Sequence, residues 1–400
     1  MDLDAFAWLL TEPGQRLLAR ASELDDSLAS QTALRKDHPG EYVALAVSQV
    51  ALRRKAVPKF GEQAARMYFT PDGLEQATRL PVSQHRAGRL QAFRAESVID
   101  LGCGIGGDLI AFAGAGITTA GIDLDPERVA VATANLEALG LGGAVQQADA
   151  TMVDTTPFAV AFADPARRGA AGRVFDAEGW TPPWPFVQQL LDRDACVKVA
   201  PGIPHAMVPD GVEAEWVSDH GEVKEAVLWS GALATAQRRA TVIAPHGERG
   251  QQGQQGQHGQ HGGLATLTEE DDPGAEVRAV GEFLYEPDGA VIRAGLVTAV
   301  AAGVQGGLLD EHIAYVTSDA SYRTPFARGY RILEERPSRE RALRAALRER
   351  GIGRLTIKKR GVAVVPDQLR KQLSLQGPNE GTIVLTRVDG EGTCFLVQPF

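Results

Sequence analysis

The sequence predicts an α/β protein whose main part is a Rossmann-like parallel sheet, preceded by a helical cap and followed by a small α+β domain. A strand, a glycine-rich turn and a helix succeed one another at VIDLGCGIGGD, residues 98–108. The order of strand and helix then repeats, and the later apolar runs end near aspartates, as in parallel βα units. A low-complexity run at 246–263 separates this part from a third region of short strands and one helical stretch.

The first part of the chain, residues 1–95, is predicted to form the helical cap and a basic segment that faces the substrate. The stretches FAWLL, LLARA and YVALAVSQVALRR carry apolar residues at helical spacing. The basic segment, residues 59–94, interleaves Phe60, Tyr68 and Phe69 with arginines, a mixture that suits base stacking and phosphate contact. The alternative remains that these rings anchor the segment to the domain and that the arginines form a solvated surface.

The glycine-rich turn at 102–107 indicates a cofactor that contains a nucleotide. Val98, Ile99 and Leu101 suit a buried parallel strand, and the glycines after them permit a tight turn whose backbone approaches a ligand. The spacing also fits the GxGxxG pattern of dinucleotide-binding proteins. Asp100 distinguishes the two classes, because a carboxylate there suits a cofactor with an ammonium group and would repel a pyrophosphate.

Aspartates follow three further apolar runs, at TTAGIDLD, AVQQADA and AVAFADPARR. Asp123, at the end of the second strand, would bond ribose hydroxyls in either cofactor class. Asp125 instead indicates a helix N-cap, because Pro126 follows at the first helical position. Asp149 and Asp164 stand at the ends of the next two runs.

The four segments DLGCGIGGD, GIDLDPERVAVATAN, QADA and ADPARR resemble, in order, motifs I to IV of class I S-adenosylmethionine-dependent methyltransferases. The resemblance covers residues 97–245 and implies a seven-stranded methyltransferase domain with S-adenosylmethionine as cofactor. It implies that Asp100 and the loop glycines surround the methionine part, that Asp123 holds the ribose, and that Asp149 with Ala150 meets the adenine. A nicotinamide-dependent dehydrogenase is opposed by Asp100 and by DPARR. The predicted cofactor-binding residues are Asp100, Gly102, Cys103, Gly104, Gly106, Asp123, Leu124, Asp149 and Ala150.

The resemblance implies that the fourth motif governs which atom receives the methyl group, because in this family the residues after the fourth strand face the sulfonium methyl. Amino-methylating members of the family carry Asp or Asn, two prolines and an aromatic residue there. This chain matches at Asp164 and Pro165 but departs from the pattern at Ala166 and Arg167. Asp164 and Pro165 are the predicted catalytic residues, with Asp164 orienting the nucleophile during direct in-line transfer and taking a proton later.

Substrate contacts are predicted just after this motif. Arg167 and Arg168 supply donors for clamping a phosphate or a base edge. Trp184, with Trp180 nearby in GWTPPWPF, supplies a surface for stacking on a base. The alternative for both tryptophans is the packing of a proline-rich loop against the domain.

The rest of the chain is predicted to complete the sheet and to add a second domain. ACVKVAP indicates a fifth strand, and EAVLWSGAL with RRATVIAP the final antiparallel pair, so that the methyltransferase domain spans 96–245. A linker follows over 246–274 and a small α+β domain over 275–400, with a helix at 338–350. EFLYEPDGAVIRAGL and IKKRG resemble the THUMP-like module of bacterial methyltransferases, which implies an RNA role because THUMP modules bind RNA. The region before motif I resembles, distantly, that of trimethylguanosine synthase-type RNA methyltransferases.

Charge distribution favours RNA as a partner despite a formal net charge of -10. Residues 53–94 carry nine Lys or Arg against three Asp or Glu, a local +6, and residues 331–371 carry thirteen against five, a local +8. The remainder therefore holds -24, so the cationic residues are concentrated in two segments.

The composition also bears on the compartment and on metal binding. No apolar run approaches the roughly 18 residues of a membrane span, and the acidic start MDLDAFAWLL does not match a signal peptide. We therefore expect a cytoplasmic protein without a membrane partner. The three cysteines are widely spaced and unpaired, so neither a disulfide framework nor a metal site is predicted.

The predicted function is thus an S-adenosylmethionine-dependent methyltransferase that modifies RNA at a base nitrogen. Two alternatives stay open. One is a small-molecule methyltransferase whose basic segments are ordinary solvated surface, and the other is a non-catalytic protein that binds S-adenosylmethionine and RNA. A steep salt dependence of binding would separate an RNA partner from a small neutral acceptor.

Overall fold

The computed structural model describes residues 1–25, 27–167, 180–243, 263–337 and 340–400. These residues form two compact units, each of which is continued by a second segment of the chain. The predicted domain limits at residues 95, 245 and 274 divide the chain differently and stay a prediction. The units are Met1–Val212 with Val227–Thr235, and Glu213–Ala226 with Ala236–Phe400.

Among the described residues, no helix combines the length and the apolarity that crossing a membrane requires.

Helices occupy most of the described residues up to residue 92. The apolar spacing predicts them over about the first fifty residues, whereas the basic segment 59–94, which its sequence indicates to be rich in loops, also contains two helices. Local signals set their ends: Asp2 caps the first helix by accepting from the Ala5 N–H, and Thr70 caps the fifth just before Pro71. Buried apolar residues of the first five helices join one cluster, whereas Ala87 and Leu90 of the sixth pack into a second. The helices are α1 (Leu3–Leu9), α2 (Glu12–Glu23), α3 (Leu28–Leu34), α4 (Gly40–Phe60), α5 (Pro71–Gln76) and α6 (Leu80–Ala92).

The aromatic residues of the basic segment belong to the first of these clusters. Phe60 and Phe69 are 0% exposed and Tyr68 is 5% exposed. The backbone around Phe69 is held by Gln49, which donates to the Phe69 carbonyl at 2.7 Å and accepts from its N–H at 3.0 Å. Stacking of these three rings on a substrate is therefore wrong, and the alternative, that they anchor the segment, is right. Burying these large rings against the apolar helices lowers the free energy of folding more than exposing them to water, where they could meet a ligand.

Parallel strands follow in the order that the βα repeat predicts. β1 pairs with β2 on one side and with β4 on the other, β2 pairs with β3, and β4 pairs with β7, all in parallel. Asp125 caps α8 by accepting from the Glu127 N–H at 2.9 Å, as expected. The elements are β1 (Ser97–Leu101), α7 (Gly107–Gly114), β2 (Thr118–Asp123), α8 (Pro126–Leu139), β3 (Ala144–Gln147), β4 (Val160–Ala163), β5 (Ala166–Arg167), β6 (Trp180–Thr181), α9 (Trp184–Leu190) and β7 (Ala195–Val199).

The end of this sheet differs from the expected pair of strands. Its strand order is β11-β10-β8-β9-β7-β4-β1-β2-β3, which is nine strands among the described residues rather than seven. β8 and β9 are neighbours joined by His220 and Gly221, both at positive φ, as a two-residue hairpin turn requires. β10 was expected to pair antiparallel with the β9 segment, but it runs parallel to β8. The strands are β8 (Glu213–Asp219), β9 (Glu222–Ser230), β10 (Arg238–Ile243) and β11 (Leu264–Thr268).

The sequence does not predict β8, because its charged residues are typical of an exposed segment. Glu213 and Glu215 are fully buried, and they are stabilised by Arg239, whose Nε donates to Glu213 at 2.6 Å, and by Thr241, whose hydroxyl donates to Glu215 at 2.5 Å. β11 falls in the predicted linker, yet it pairs antiparallel with β10. Residues 246–262 of that linker lie outside the described residues.

The C-terminal part is a small α+β module, as predicted, and its helix 338–350 is observed at Glu340–Glu349. Its sheet has the order β13-β14-β12-β15-β18-β17-β16, in which β16 and β17 run parallel around α13. The elements are β12 (Phe283–Pro287), α10 (Gly289–Ala294), α11 (Val297–Gly303), β13 (Gly307–Asp310), β14 (Ile313–Ser318), β15 (Ala327–Pro337), α12 (Glu340–Glu349), β16 (Ile352–Lys359), α13 (Pro366–Leu373), β17 (Asn379–Val388) and β18 (Glu391–Pro399).

Candidate functional site

A cavity of about 810 Å³ lies at the carboxyl ends of β1, β2 and β4. The order of the strands reverses between β1 and β4, and open parallel sheets bind ligands at such a switch point. Most of the residues predicted to form the site line this cavity. They are Asp100, Gly102, Cys103, Gly104, Asp123, Leu124, Asp149, Ala150, Asp164 and Pro165.

The loop after β1 is fixed by its own backbone. The N–H groups of Gly102 and Cys103 both donate to the Ile122 carbonyl, at 2.8 and 2.9 Å, which ties the loop to the end of β2. Gly104 and Gly106 have φ values of +57° and +85°, a region that side chains rarely adopt, so glycine is required there. Gly106 precedes the first residue of α7 rather than lining the cavity. The loop therefore brings its backbone close to a ligand, together with Cys103 and Ile105, which also line the cavity.

Asp100 is a buried carboxylate without a partner. It is 1% exposed, and neither side-chain oxygen has a hydrogen-bond partner among the described residues. Burial and then the negative charge of Asp164 raise the pKa of Asp100, the guanidinium of Arg86 opposes the rise, and the resulting pKa is about 8. A cation bound in the cavity would supply the partner that this side chain lacks. Cys103 also faces the cavity, and burial raises the pKa of its thiol, so the thiol stays protonated.

Asp123 joins the loops after β1 and β2. Its Oδ2 accepts from the Gly104 N–H at 3.0 Å, and its Oδ1 accepts from the Asp125 N–H at 3.0 Å. Each carboxylate oxygen can accept a second bond, so the side chain is both structural and available to hydroxyl groups. Leu124 is 56% exposed beside it and offers an apolar surface to the cavity.

Asp149 and Ala150 lie after β3 at an exposed edge of the cavity. Asp149 caps a short 3₁₀ turn, and its Oδ1 accepts from the hydroxyl and the N–H of Thr151 at 2.7 and 2.9 Å. The hydroxyl bond and then the N–H bond lower the pKa of Asp149, so this residue is an anion at neutral pH.

Asp164 follows β4 and is bound to a lysine that the sequence analysis does not name. Lys198, on β7, donates from Nζ to Asp164 Oδ2 at 2.6 Å and to Thr78 Oγ1 at 3.1 Å. Both Lys198 and Thr78 line the cavity. The signal in the sequence is a lysine inside the apolar strand ACVKVAP, which a buried strand carries only when the charge has a partner.

Thr78 extends this contact to a buried ion pair. Its hydroxyl donates to Asp108 Oδ2 at 2.8 Å, and the other oxygen of Asp108 pairs with Arg86. Arg86 is 1% exposed and lies over the ring of Phe162, with 4.7 Å between the guanidinium carbon and the ring centroid. Arg86 and Asp108 are thus paired with each other, and Thr78 adds a hydrogen bond to Asp108, which makes the burial of these two charges tolerable.

The predicted substrate residues are only partly described. Arg167 lies in β5, which pairs with β6, and its backbone is opposite Trp180. Arg168 lies outside the described residues. Trp184 begins α9 and packs edge-on against Trp180, with 5.2 Å between ring centroids, and it is not among the described residues that line the cavity. A stacking role for Trp184 stays a prediction.

No group of three or more His, Cys, Asp or Glu side chains gathers into a candidate metal site in the described ranges.

Three parts of the chain match known protein families. Residues 98–164 match a methyltransferase domain, residues 327–399 match a THUMP domain-like family, and residues 2–56 match a domain of unknown function.

Relatives extend this assignment to most of the chain. Uncharacterized S-adenosylmethionine-dependent methyltransferases from two strains of Mycobacterium tuberculosis are each 37% identical over 374 residues, 90% of this chain and 97% of theirs. A crystal structure of a Porphyromonas gingivalis W83 protein, assigned as a methyltransferase, covers 99% of this chain and 96% of its own at 21% identity, with a TM-score of 0.72. That similarity shows a shared fold.

The strand order, the glycine loop and the acidic strand ends define a class I methyltransferase domain with a THUMP-like C-terminal module. The chain belongs to the S-adenosylmethionine-dependent methyltransferases. S-adenosylmethionine is accordingly its methyl donor.

Proposed function

We propose that this protein transfers a methyl group from S-adenosylmethionine to a base nitrogen of RNA in the cytoplasm. The observation that carries the RNA partner is the THUMP-like module, which coincides with the strongly basic stretch 331–371. The location rests on Cys103 and Cys394, which form no disulfide and are buried, as in proteins of reducing compartments.

The residues of the cavity fit the proposed cofactor. Asp100, whose side chain has no partner, would pair with the ammonium group, and the glycine loop, which lines the cavity, would border the methionine part. Asp123 would accept from the ribose hydroxyls, and Leu124, Asp149 and Ala150 would border the adenine. When bound, S-adenosylmethionine supplies an activated methyl group on a sulfonium.

The chain's own residues then position the acceptor and exclude water. Asp164 accepts a hydrogen bond from the acceptor atom, and the backbone carbonyl of Pro165 supplies a second acceptor beside it. Because the donor is already activated, orientation is the main contribution that the protein has to make. Arg167, Arg168 and Trp184 remain candidates for contacts with the RNA.

The C-terminal module supplies a cationic surface for the RNA backbone. Arg341, Arg344 and Arg348 recur at helical spacing on one face of α12. Arg348 donates to the Ser374 carbonyl at 3.2 Å, and Arg344 donates to the Gln372 carbonyl, which brings this face to the end of α13. We call Arg341, Arg344, Arg348 and the nearby Lys371 the basic face. Arg341 and Lys371 are exposed and make no ion pair within the described part of the chain.

Transfer of labelled methyl to RNA tests this proposal. Total RNA from cells that lack the gene is incubated with labelled S-adenosylmethionine and either the wild-type protein or Asp164→Ala. We expect nuclease-sensitive label with the wild type and at least a hundredfold less with the variant, since a positioned acid or base contributes about that factor. Equal cofactor binding by both proteins, measured by calorimetry, is the control.

The same assay also identifies the alternative acceptor. Absence of label in RNA, with cofactor binding intact, would contradict the RNA proposal and would turn the search to small molecules. Full turnover by Asp164→Ala would instead contradict the role given to Asp164 while leaving RNA as the substrate.

A further inference from the structure

The pair formed by Asp164 and Lys198 determines which acceptor atom the cavity favours. An ammonium group has three N–H donors. Lys198 uses one on Asp164 at 2.6 Å and one on Thr78 at 3.1 Å. Within the described residues the third donor has no protein partner, and Lys198 lines the cavity. A cation with a spare donor therefore lies at the cavity.

This arrangement is poorly suited to an amine acceptor. A neutral amine gains positive charge while it accepts the methyl group, and a free carboxylate would stabilise that charge. Here the charge of Asp164 is already matched by Lys198, so the pair offers no net negative charge, and the ammonium repels a second cation. A group that becomes anionic as its proton leaves is stabilised instead.

We infer that the acceptor is an acidic ring N–H with a carbonyl oxygen beside it, as in uracil and guanine, rather than an exocyclic amine. This inference rests on the proposed RNA substrate. Asp164 Oδ1 takes the ring proton, while the third N–H of Lys198 donates to the neighbouring carbonyl oxygen. The electron pair of the ring nitrogen forms the bond to the methyl carbon, and the carbon–sulfur bond breaks with its pair on sulfur.

The proton has a way out of the site. The side chain of Asp164 is 34% exposed, so the proton passes from its carboxyl group to solvent. The products are then the N-methylated base, S-adenosylhomocysteine and one proton. Lys198 acts as a further substrate-binding residue, and it needs no change of its own protonation state.

The identity of the methylated nucleoside tests the inference directly. RNA labelled by the wild-type protein is digested to nucleosides, which are identified by chromatography and mass spectrometry. We expect N3-methyluridine or N1-methylguanosine. Recovery of N6-methyladenosine or N4-methylcytidine would overturn the inference and leave the RNA proposal standing. Absence of label in RNA would overturn both.

Variants of Lys198 test its role without turnover. Uridine and guanosine 5′-monophosphates, and the cytidine and adenosine ones, are titrated into protein saturated with S-adenosylhomocysteine. Lys198→Met should weaken binding of the first pair about tenfold, the loss of one charge-assisted hydrogen bond, and leave the second pair unchanged. Lys198→Arg should restore most of the difference. Equal weakening of all four nucleotides, or no weakening, would contradict a specific role.

A matched control separates this effect from general loss of positive charge. Lys224 also binds an acidic side chain, that of Glu222, and it lies on β9 outside the cavity lining. Lys224→Met should leave the binding of all four nucleotides and the methylation rate unchanged.

The pH dependence of the methylation rate gives a further test. The rate of Lys198→Met should rise as the pH approaches the pKa of the ring N–H, whereas Lys198→Arg should keep the wild-type pH profile.

Discussion

Replacing Asp100 with asparagine should stabilise the ligand-free protein while weakening its hold on S-adenosylmethionine. In the folded chain burial raises the pKa of this carboxyl from 3.8 to about 8, so at neutral pH the side chain is mostly protonated. In the unfolded chain it is ionised. Folding at pH 7 therefore requires this carboxyl to take up a proton, which costs free energy because pH 7 lies far above its pKa in the unfolded chain. Asparagine has no such requirement.

The size of the effect follows from the displaced pKa. Between pH 3.8 and 8 the native state binds more protons than the unfolded state, so stability falls as pH rises through this interval. The penalty is about 4 kcal/mol at pH 7 and about 2 kcal/mol at pH 5, at about 1.4 kcal/mol per pH unit. The neutral amide and the neutral carboxyl are similar in size and polarity, so their own burial costs largely cancel.

Calorimetric unfolding of both proteins at pH 5 and pH 7, without ligand, measures this difference. Asp100→Asn should unfold several degrees higher at pH 7 and less so at pH 5. Titration with S-adenosylmethionine should show the opposite sign, because the amide cannot pair with the ammonium group. A ligand-free variant less stable than the wild type at pH 7, or a gain that does not depend on pH, would refute the reasoning.

Three further results are expected. The dissociation constant of the wild type for S-adenosylmethionine should rise about tenfold when pH falls from 7 to 6, because Asp100 must ionise to bind, and calorimetry with Asp100→Asn should show a flat response. Asn135→Ala should cost about 3 kcal/mol in urea unfolding, since Asn135 accepts from the Tyr68 N–H at 2.6 Å and donates to its carbonyl at 3.1 Å, and an unchanged midpoint would contradict this. Arg341→Gln with Lys371→Gln should reduce the salt dependence of RNA binding by about 0.7 per lost phosphate contact on a single strand, with cofactor affinity unchanged, and an unaltered slope would remove the basic face from the RNA surface.

Much of the cofactor site is predictable because its signals are local. The run of glycines between a buried strand and a helix predicts a tight loop. The capping of α8 by Asp125 is predicted from that aspartate and the proline after it. The aspartates at the strand ends reach one cavity because parallel strands bring their carboxyl ends to the same edge.

The errors arise where burial contradicts the local pattern. β8 contains three acidic residues and was not predicted as a strand, yet every residue in it is buried. Phe60, Tyr68 and Phe69 stand among arginines, as in a nucleic-acid surface, but they pack into the helical cluster. Composition describes which groups are available, whereas their exposure depends on neighbours that are distant in the chain.

The fold class, the glycine loop and the chemistry at each strand end can be predicted from the sequence, because they depend on residue type and short-range spacing. Which charges meet depends on the folded arrangement of distant segments. Lys198 binds Asp164, which is 34 residues away in the chain, and Thr78, which is 120 residues away. Asp100 has no hydrogen-bond partner among the described residues. Pairing and desolvation are long-range properties, and they set the charge that a substrate encounters in this cavity.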